Sequence, residues 1–196
     1  VNEQLKVVFL EDYKVSLAEN IIPAADLSEQ ISTAGTEASG TSNMKLAMNG
    51  ALTIGTLDGA NIEIRDAVGH ENFYVFGLSA EQIAEQRAKG RSSYDEYLSN
   101  TELKETVDSL ISGAFHADKN LFSPIYHMLV SHGDHYFHLA DFDSYCHAQY
   151  QALTDYSDTF SWHKRALNTI SGMGEFSSDR TIRGYSKDIW GEGNLK

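Results

Sequence analysis

Residues Gly35–Asn49 read GTEASGTSNMKLAMN. Gly35, Thr36, Ala38, Ser39, Gly40, Thr41 and Ser42 crowd the front half, and a helix is expected behind them, from Asn43 to Met48. Backbone N–H groups at a helix start form an anion site. Gly40 lets the main chain approach a ligand closely, and Thr41 and Ser42 add hydroxyls. A phosphate is held this way with few cations. That suits a chain with 15 Lys and Arg against 28 Asp and Glu, a formal net charge of −13. The segment is not a nucleotide P-loop, which needs Gly-Lys-Ser/Thr, nor a dinucleotide fingerprint, which needs Gly-x-Gly-x-x-Gly.

Outward from this loop, Leu5–Leu10 (LKVVFL) reads as a buried parallel strand. Val15–Ile22 reads as a short helix stopped by Pro23, and Asp26–Ile31 as another short helix. Ala51–Thr56 and Phe73–Phe76 read as strands. Strand alternating with helix predicts an α/β layer with a parallel sheet over residues 1–90.

Residues 91–196 read as mostly helical. Ser79-Ala80-Glu81-Gln82 has the form of a capping box, with Gly90 placed as the stop. Leu103, Val107, Leu110 and Ile111 make an apolar stripe behind a Thr101 cap. Ser123-Pro124 opens a helix that ends by Gly133. Three more helices are expected around Tyr145–Tyr156, Trp162–Gly172 and Ile182–Ile189. The pattern is half of a doubly wound domain followed by a helical tail.

Hydrophobic residues make up 41% of the chain and charged ones 22%, enough for a core. The negative charge excludes nucleic acid and anionic membranes as partners. A single cysteine, Cys146, excludes a disulfide framework and fits a reducing, cytoplasmic setting. No apolar run approaches a membrane span. Val1 reads as an internal residue, which predicts that the chain is a piece of a longer one. His132, His135 and His138 lack the sharper spacing and the cysteine or carboxylate partner of a zinc site, so no metal is predicted and a polar loop between helices is expected. The acidic residues from 95 to 108 read as solvated helix faces, and Asp58-Gly59 as a turn after a strand.

The second chemical element is Lys45. Its neighbours Met44, Leu46, Ala47 and Met48 predict a buried lysine. Burial would lower its pKa, and a neutral amine attacks an aldehyde to form a Schiff base. A phosphate cradle just ahead of such a lysine suits pyridoxal phosphate. Spacing alone also admits a lysine on a solvated helix face after a Gly-rich turn.

Residues 37–49, EASGTSNMKLAMN, resemble the cofactor segment of the α-1,4-glucan phosphorylases. They match Glu-Ala-Ser-Gly-x-(Gly or Ser)-x-Met-Lys-x-x-(Leu or Met)-Asn at every defined position. Residues 11–36, 50–64 and 175–190 are also similar to that family, and the stretch 79–170 more loosely. The resemblance implies phosphorolysis of terminal α-1,4 bonds of glycogen, starch or maltodextrin by inorganic phosphate, with retained configuration. The product is glucose 1-phosphate, and the phosphate of pyridoxal phosphate assists acid catalysis. It implies a two-domain glycosyltransferase fold of the GT-B type, this chain being the C-terminal portion of the Rossmann-like cofactor domain with a helical tail.

By the same resemblance Lys45 is the tether and the candidate catalytic residue. Thr41 and Gly40 hold the cofactor phosphate, Tyr13 and Lys14 line the cofactor and phosphate region, and Glu37, Ser39 and Gly40 bind the glucosyl unit. Lys14 stands where many relatives carry Arg; the lysine keeps the charge and loses the bidentate fork. The resemblance implies a homodimer for the full-length protein. The first 65 residues hold Lys6, Lys14, Lys45 and Arg65 as their only cations. Two phosphates side by side need more, so the chain alone is expected to be inactive. Two other readings share parts of this pattern. A sugar-nucleotide glycosyltransferase has the architecture but no need of Met44-Lys45, and a non-catalytic module would bind no cofactor.

Overall fold

The computed structural model describes residues 5–191. In chain order it contains α1 (Val15–Ile21), β1 (Leu27–Gln30), α2 (Ser42–Met48), β2 (Leu52–Gly55), α3 (Asn61–Val68), β3 (Phe73–Val75) and α4 (Ala80–Lys89). Six further helices follow: α5 (Ser93–Ser99), α6 (Thr101–Ser112), α7 (Ser123–Val130), α8 (His138–Tyr156), α9 (Thr159–Gly172) and α10 (Ser178–Asp188).

The three strands form one parallel sheet in the order β1-β2-β3. Leu27 pairs with Leu52 and Gln30 with Gly55, while Thr53 pairs with Phe73 and Gly55 with Val75. The central strand β2 is buried throughout, and its sequence alternates accordingly. Leu52 and Ile54 share one face with Tyr74 and Phe76, covered by Ala148 and Ala152 of α8 and by Trp162 of α9. Phe73 turns to the other face, where it meets Ala47 of α2, Ile64 and Val68 of α3, and Met173. Leu52, Ile54 and Ile64 are completely buried, and each such side chain stabilises the fold by roughly 1.5–3 kcal/mol. The α/β layer is therefore a small parallel sheet with helices on both faces.

A second cluster, Tyr97, Leu103, Val107, Val130 and Leu139, holds the helical part together. Arg91 ties α5 to the turn ahead of α8. The Arg91 guanidinium is buried, pairs with Glu96 and with Asp134 at 3.0 Å, and lies 4.4 Å over the Phe137 ring. The capping box is present at Ser79 and Gln82, and Gly90 closes α4 in the left-handed region. The helix boundaries around Pro23, Ser123-Pro124 and Gly172 fall as expected.

Four expectations are corrected. Leu5–Leu10 is irregular, and Val7 and Phe9 are exposed; an apolar run becomes a buried strand only beside a sheet neighbour, and none is present among the described residues. Within residues 26–31, where a helix is expected, Leu27–Gln30 form strand β1, because pairing with β2 overrides weak local preference. The cap of α6 is Asn100, whose side chain accepts from the Leu103 N–H, not Thr101. The burial expected of Lys45 also fails, since its side chain is exposed. Helix α3 has no counterpart in the sequence reading, and α5 is foreshadowed only by the acidic residues from 95 onward.

Candidate functional site

Loop 31–41 leaves the carboxyl end of β1, and turn 56–60 leaves the carboxyl end of β2. Adjacent parallel strands place these two connections side by side. This is where open α/β sheets bind ligands.

The turn holds the loop by several bonds. Thr56 Oγ1 donates to the Ser32 carbonyl at 2.6 Å. The buried Asp58 carboxylate accepts from the backbone N–H groups of Gly35 at 2.9 Å, Thr36 at 3.1 Å and Glu37 at 2.7 Å. Three donors to one carboxylate offset the cost of burying it. The Ala60 N–H donates to the Ser39 carbonyl at 2.8 Å. Gly59 lies beneath that carbonyl, with φ of +49°, and a Cβ there would stand 2.6 Å from the Ser39 oxygen. Only glycine fits. Behind the loop, the buried Asn43 Nδ2 donates to Asn61 Oδ1 at 2.9 Å, and Asn61 Nδ2 donates to the Thr56 carbonyl at 3.1 Å. Thr33 Oγ1 adds a bond of 2.6 Å to the Tyr136 carbonyl, tying the loop to the helical part.

The outer side of the same loop is arranged differently. Glu37, Ser39, Thr41 and Lys45 are exposed. Glu37, Thr41 and Lys45 make no side-chain hydrogen bond or ion pair among the described residues, and Ser39 Oγ has only the Gly40 carbonyl, at 3.4 Å. Thr41 occupies the N-cap position of α2 without closing the cap, so its hydroxyl stays available. Gly40 turns the chain at φ of +92°, and a Cβ there would meet the Asn43 amide at 3.0 Å. Ser39, Met44, Gly59 and Ala60 line an open cleft of about 380 Å³ together with Glu63, Glu175, Phe176 and Arg180.

Helical geometry explains the correction at Lys45. Asn43 and Ala47 are buried, and Met44 and Met48 pack on the core beneath α2. Lys45 falls on the opposite side of the 3.6-residue turn, so its apolar neighbours face the sheet while its amine faces out. In an acidic chain this amine still has no carboxylate partner among the described residues. Glu37, Ser39, Gly40, Thr41 and Lys45 thus come together on one loop and one helix. Tyr13 and Lys14 do not join them. Both are exposed, Lys14 pairs with Asp12 at 2.7 Å, and no hydrogen bond or ion pair links either residue to the loop.

The resemblance places residues 55–61 near the site, but the sequence assigns no chemical role to Asp58, Asn61 or Asn43. Its signal for Asp58 was an Asp-Gly turn straight after a strand. Among the described residues no group of three or more His, Cys, Asp or Glu is arranged to hold a metal, and no helix is long and apolar enough to cross a membrane.

The carbohydrate phosphorylase family model matches residues 1–192. The chain is 51% identical to the glycogen phosphorylase of Synechocystis sp. over 97% of its own length and 22% of that protein. It is 50% identical to the Bacillus subtilis glycogen phosphorylase, covering 24% of it. Against the brain form of the Homo sapiens enzyme the figures are 48% and 23%. The chain therefore spans less than a quarter of the length of the curated relatives it matches.

Proposed function

The chain belongs to the carbohydrate phosphorylase family, and from that premise we propose that it is the C-terminal, pyridoxal-phosphate-binding part of an α-1,4-glucan phosphorylase. The full-length protein would phosphorolyse terminal α-1,4 bonds to glucose 1-phosphate. It would do so as a cytoplasmic homodimer of the GT-B type, with residues 1–90 in the α/β layer of its second domain and 91–196 in the helical part.

One observation supports this most. Lys45 presents an exposed amine, unpaired among the described residues, four residues after the Thr41 hydroxyl and five after the left-handed turn at Gly40. A primary amine suits an aldehyde, and a hydroxyl with close backbone suits a phosphate, so the donor set fits the cofactor. Lys45 would hold the aldehyde carbon, and Thr41 and Gly40 the phosphate. When bound, the cofactor supplies a phosphate group beside the substrate phosphate that supports proton donation to the glycosidic oxygen. Glu37 offers a free carboxylate to sugar hydroxyls, and Ser39 and Gly40 add polar groups next to it. Tyr13 and Lys14 would join the site only in the full-length protein, since neither bonds to the loop here.

The binding test is mass spectrometry after incubation with pyridoxal phosphate and borohydride reduction. A single adduct on Lys45 is expected, and scattered labelling of other lysines in the full-length protein would sink the proposal. The 196-residue chain alone should release no glucose 1-phosphate from glucan, because the cations for two adjacent phosphates are missing from its first 65 residues. Release by the purified chain would overturn that part.

A further inference from the structure

We infer that Asp58, on the segment leaving β2, is a positioning residue for the stretch that carries Glu37 and Ser39, an inference that rests on the glucosyl-binding reading of that loop. The ligand-facing side chains have almost no anchors of their own. Their places are set from behind. Glu37 is fixed by its own N–H on Asp58 at 2.7 Å, and Ser39 by its carbonyl on the Ala60 N–H at 2.8 Å. Helix α2 is fixed by the Asn43–Asn61 amide pair. Asp58 is buried beneath the loop and spends both oxygens on backbone donors. It therefore acts through the main chain and does not touch the ligand side. Gly59 sets the height of the Ser39 carbonyl, because a side chain there collides with it.

The chemistry makes the role testable. An asparagine at position 58 keeps the shape but replaces one acceptor oxygen by an NH₂ group. That group would face a backbone N–H, and the front of the loop would be released. Misplacing a binding group by about 1 Å costs on the order of 100-fold in rate.

The experiment uses the full-length enzyme carrying this chain, with Asp58→Asn, Gly59→Ala and a control, Asp155→Asn, which loosens the Tyr74–Arg165 cluster instead. Amide hydrogen exchange at Gly35, Thr36 and Glu37, cofactor content per chain, and separate KM and kcat values for glucan and phosphate are measured. In Asp58→Asn the three amides should exchange faster while cofactor content and the KM for phosphate hold. The value of kcat/KM for glucan should fall about 100-fold. Gly59→Ala should move the glucan term in the same direction, and Asp155→Asn should lower Tm without this split. Glucan kinetics that are unchanged, or changed no more than in Asp155→Asn, overturn the inference. If Asp58→Asn does not fold, Gly59→Ala decides by the same criteria. A wild-type enzyme that carries no cofactor on Lys45 or does not phosphorolyse glucan brings down the proposed function and this inference with it. An active, loaded wild type beside a kinetically silent Asp58→Asn brings down this inference alone.

Discussion

Asn43 Nδ2 donates to Asn61 Oδ1 across 2.9 Å, so the first turns of α2 and α3 are joined by one buried amide pair. Asn61 in turn donates to the Thr56 carbonyl. Asn61→Ala leaves the buried Asn43 Nδ2 without its acceptor, while the Thr56 carbonyl keeps the Asp58 N–H at 3.0 Å. Each unsatisfied buried group costs about 1–3 kcal/mol. Urea unfolding should show a loss in that range or above it, and a loss under about 0.5 kcal/mol would mean the pair is not structural.

Gly40→Ala places a methyl group 3.0 Å from the Asn43 side chain at a φ of +92°. Backbone strain of this kind costs about 1–3 kcal/mol. Roughly tenfold weaker uptake of pyridoxal phosphate on Lys45 is expected, one factor of ten for each 1.4 kcal/mol. Titration followed by borohydride trapping reads it directly, and uptake equal to wild type would show that the turn does not shape the cradle.

Arg91 is the charge that joins α5 to the turn ahead of α8. Its side chain is 6% exposed, and it meets Glu96, Asp134 and the Phe137 ring. Arg91→Ala leaves the buried Asp134 carboxylate without its cation, at a cost of about 3–5 kcal/mol. Arg91→Lys keeps the charge but loses the fork and should fall in between. Thermal unfolding of the two variants checks the order.

The Tyr145 phenol is pushed up to about 12, first by burial and then by its hydrogen bond to Glu29 at 2.6 Å. The folded protein thus holds this proton to higher pH than the unfolded chain does. The resulting stabilisation is whole below about pH 10 and is lost as pH rises toward 12. Tyr145→Phe removes the titration, so its stability should fall less than wild type between pH 9 and 12 in a series of urea midpoints. Parallel pH curves would contradict the assignment.

Much of this arrangement was legible in the sequence, for reasons that differ by element. The strand at Leu52–Gly55 and the helices with Pro or Gly punctuation are encoded locally, in apolar runs and caps. The loop 35–41 and helix α2 were legible because small residues and a helix start are also local signals. Strand β1 was not, since Leu27–Gln30 has little strand character and acquires it from the register with β2. Asp58 was read as a turn residue, and its three donors lie 21 to 23 positions away. No spacing rule reaches that far. The side on which Lys45 faces was misread because its apolar neighbours were weighed by adjacency instead of by helical phase.

The exposed run Leu5–Leu10 has a consequence for handling the protein. Val7 and Phe9 stand 75% and 89% exposed, in a six-residue stretch of β-forming residues with a single charge, Lys6. Such a segment is a template for intermolecular strand pairing. Purified by itself, this chain should therefore lose material to fibrous or amorphous self-assembly before its fold fails. A gatekeeper change such as Phe9→Lys is the remedy that leaves the loop and the lysine untouched.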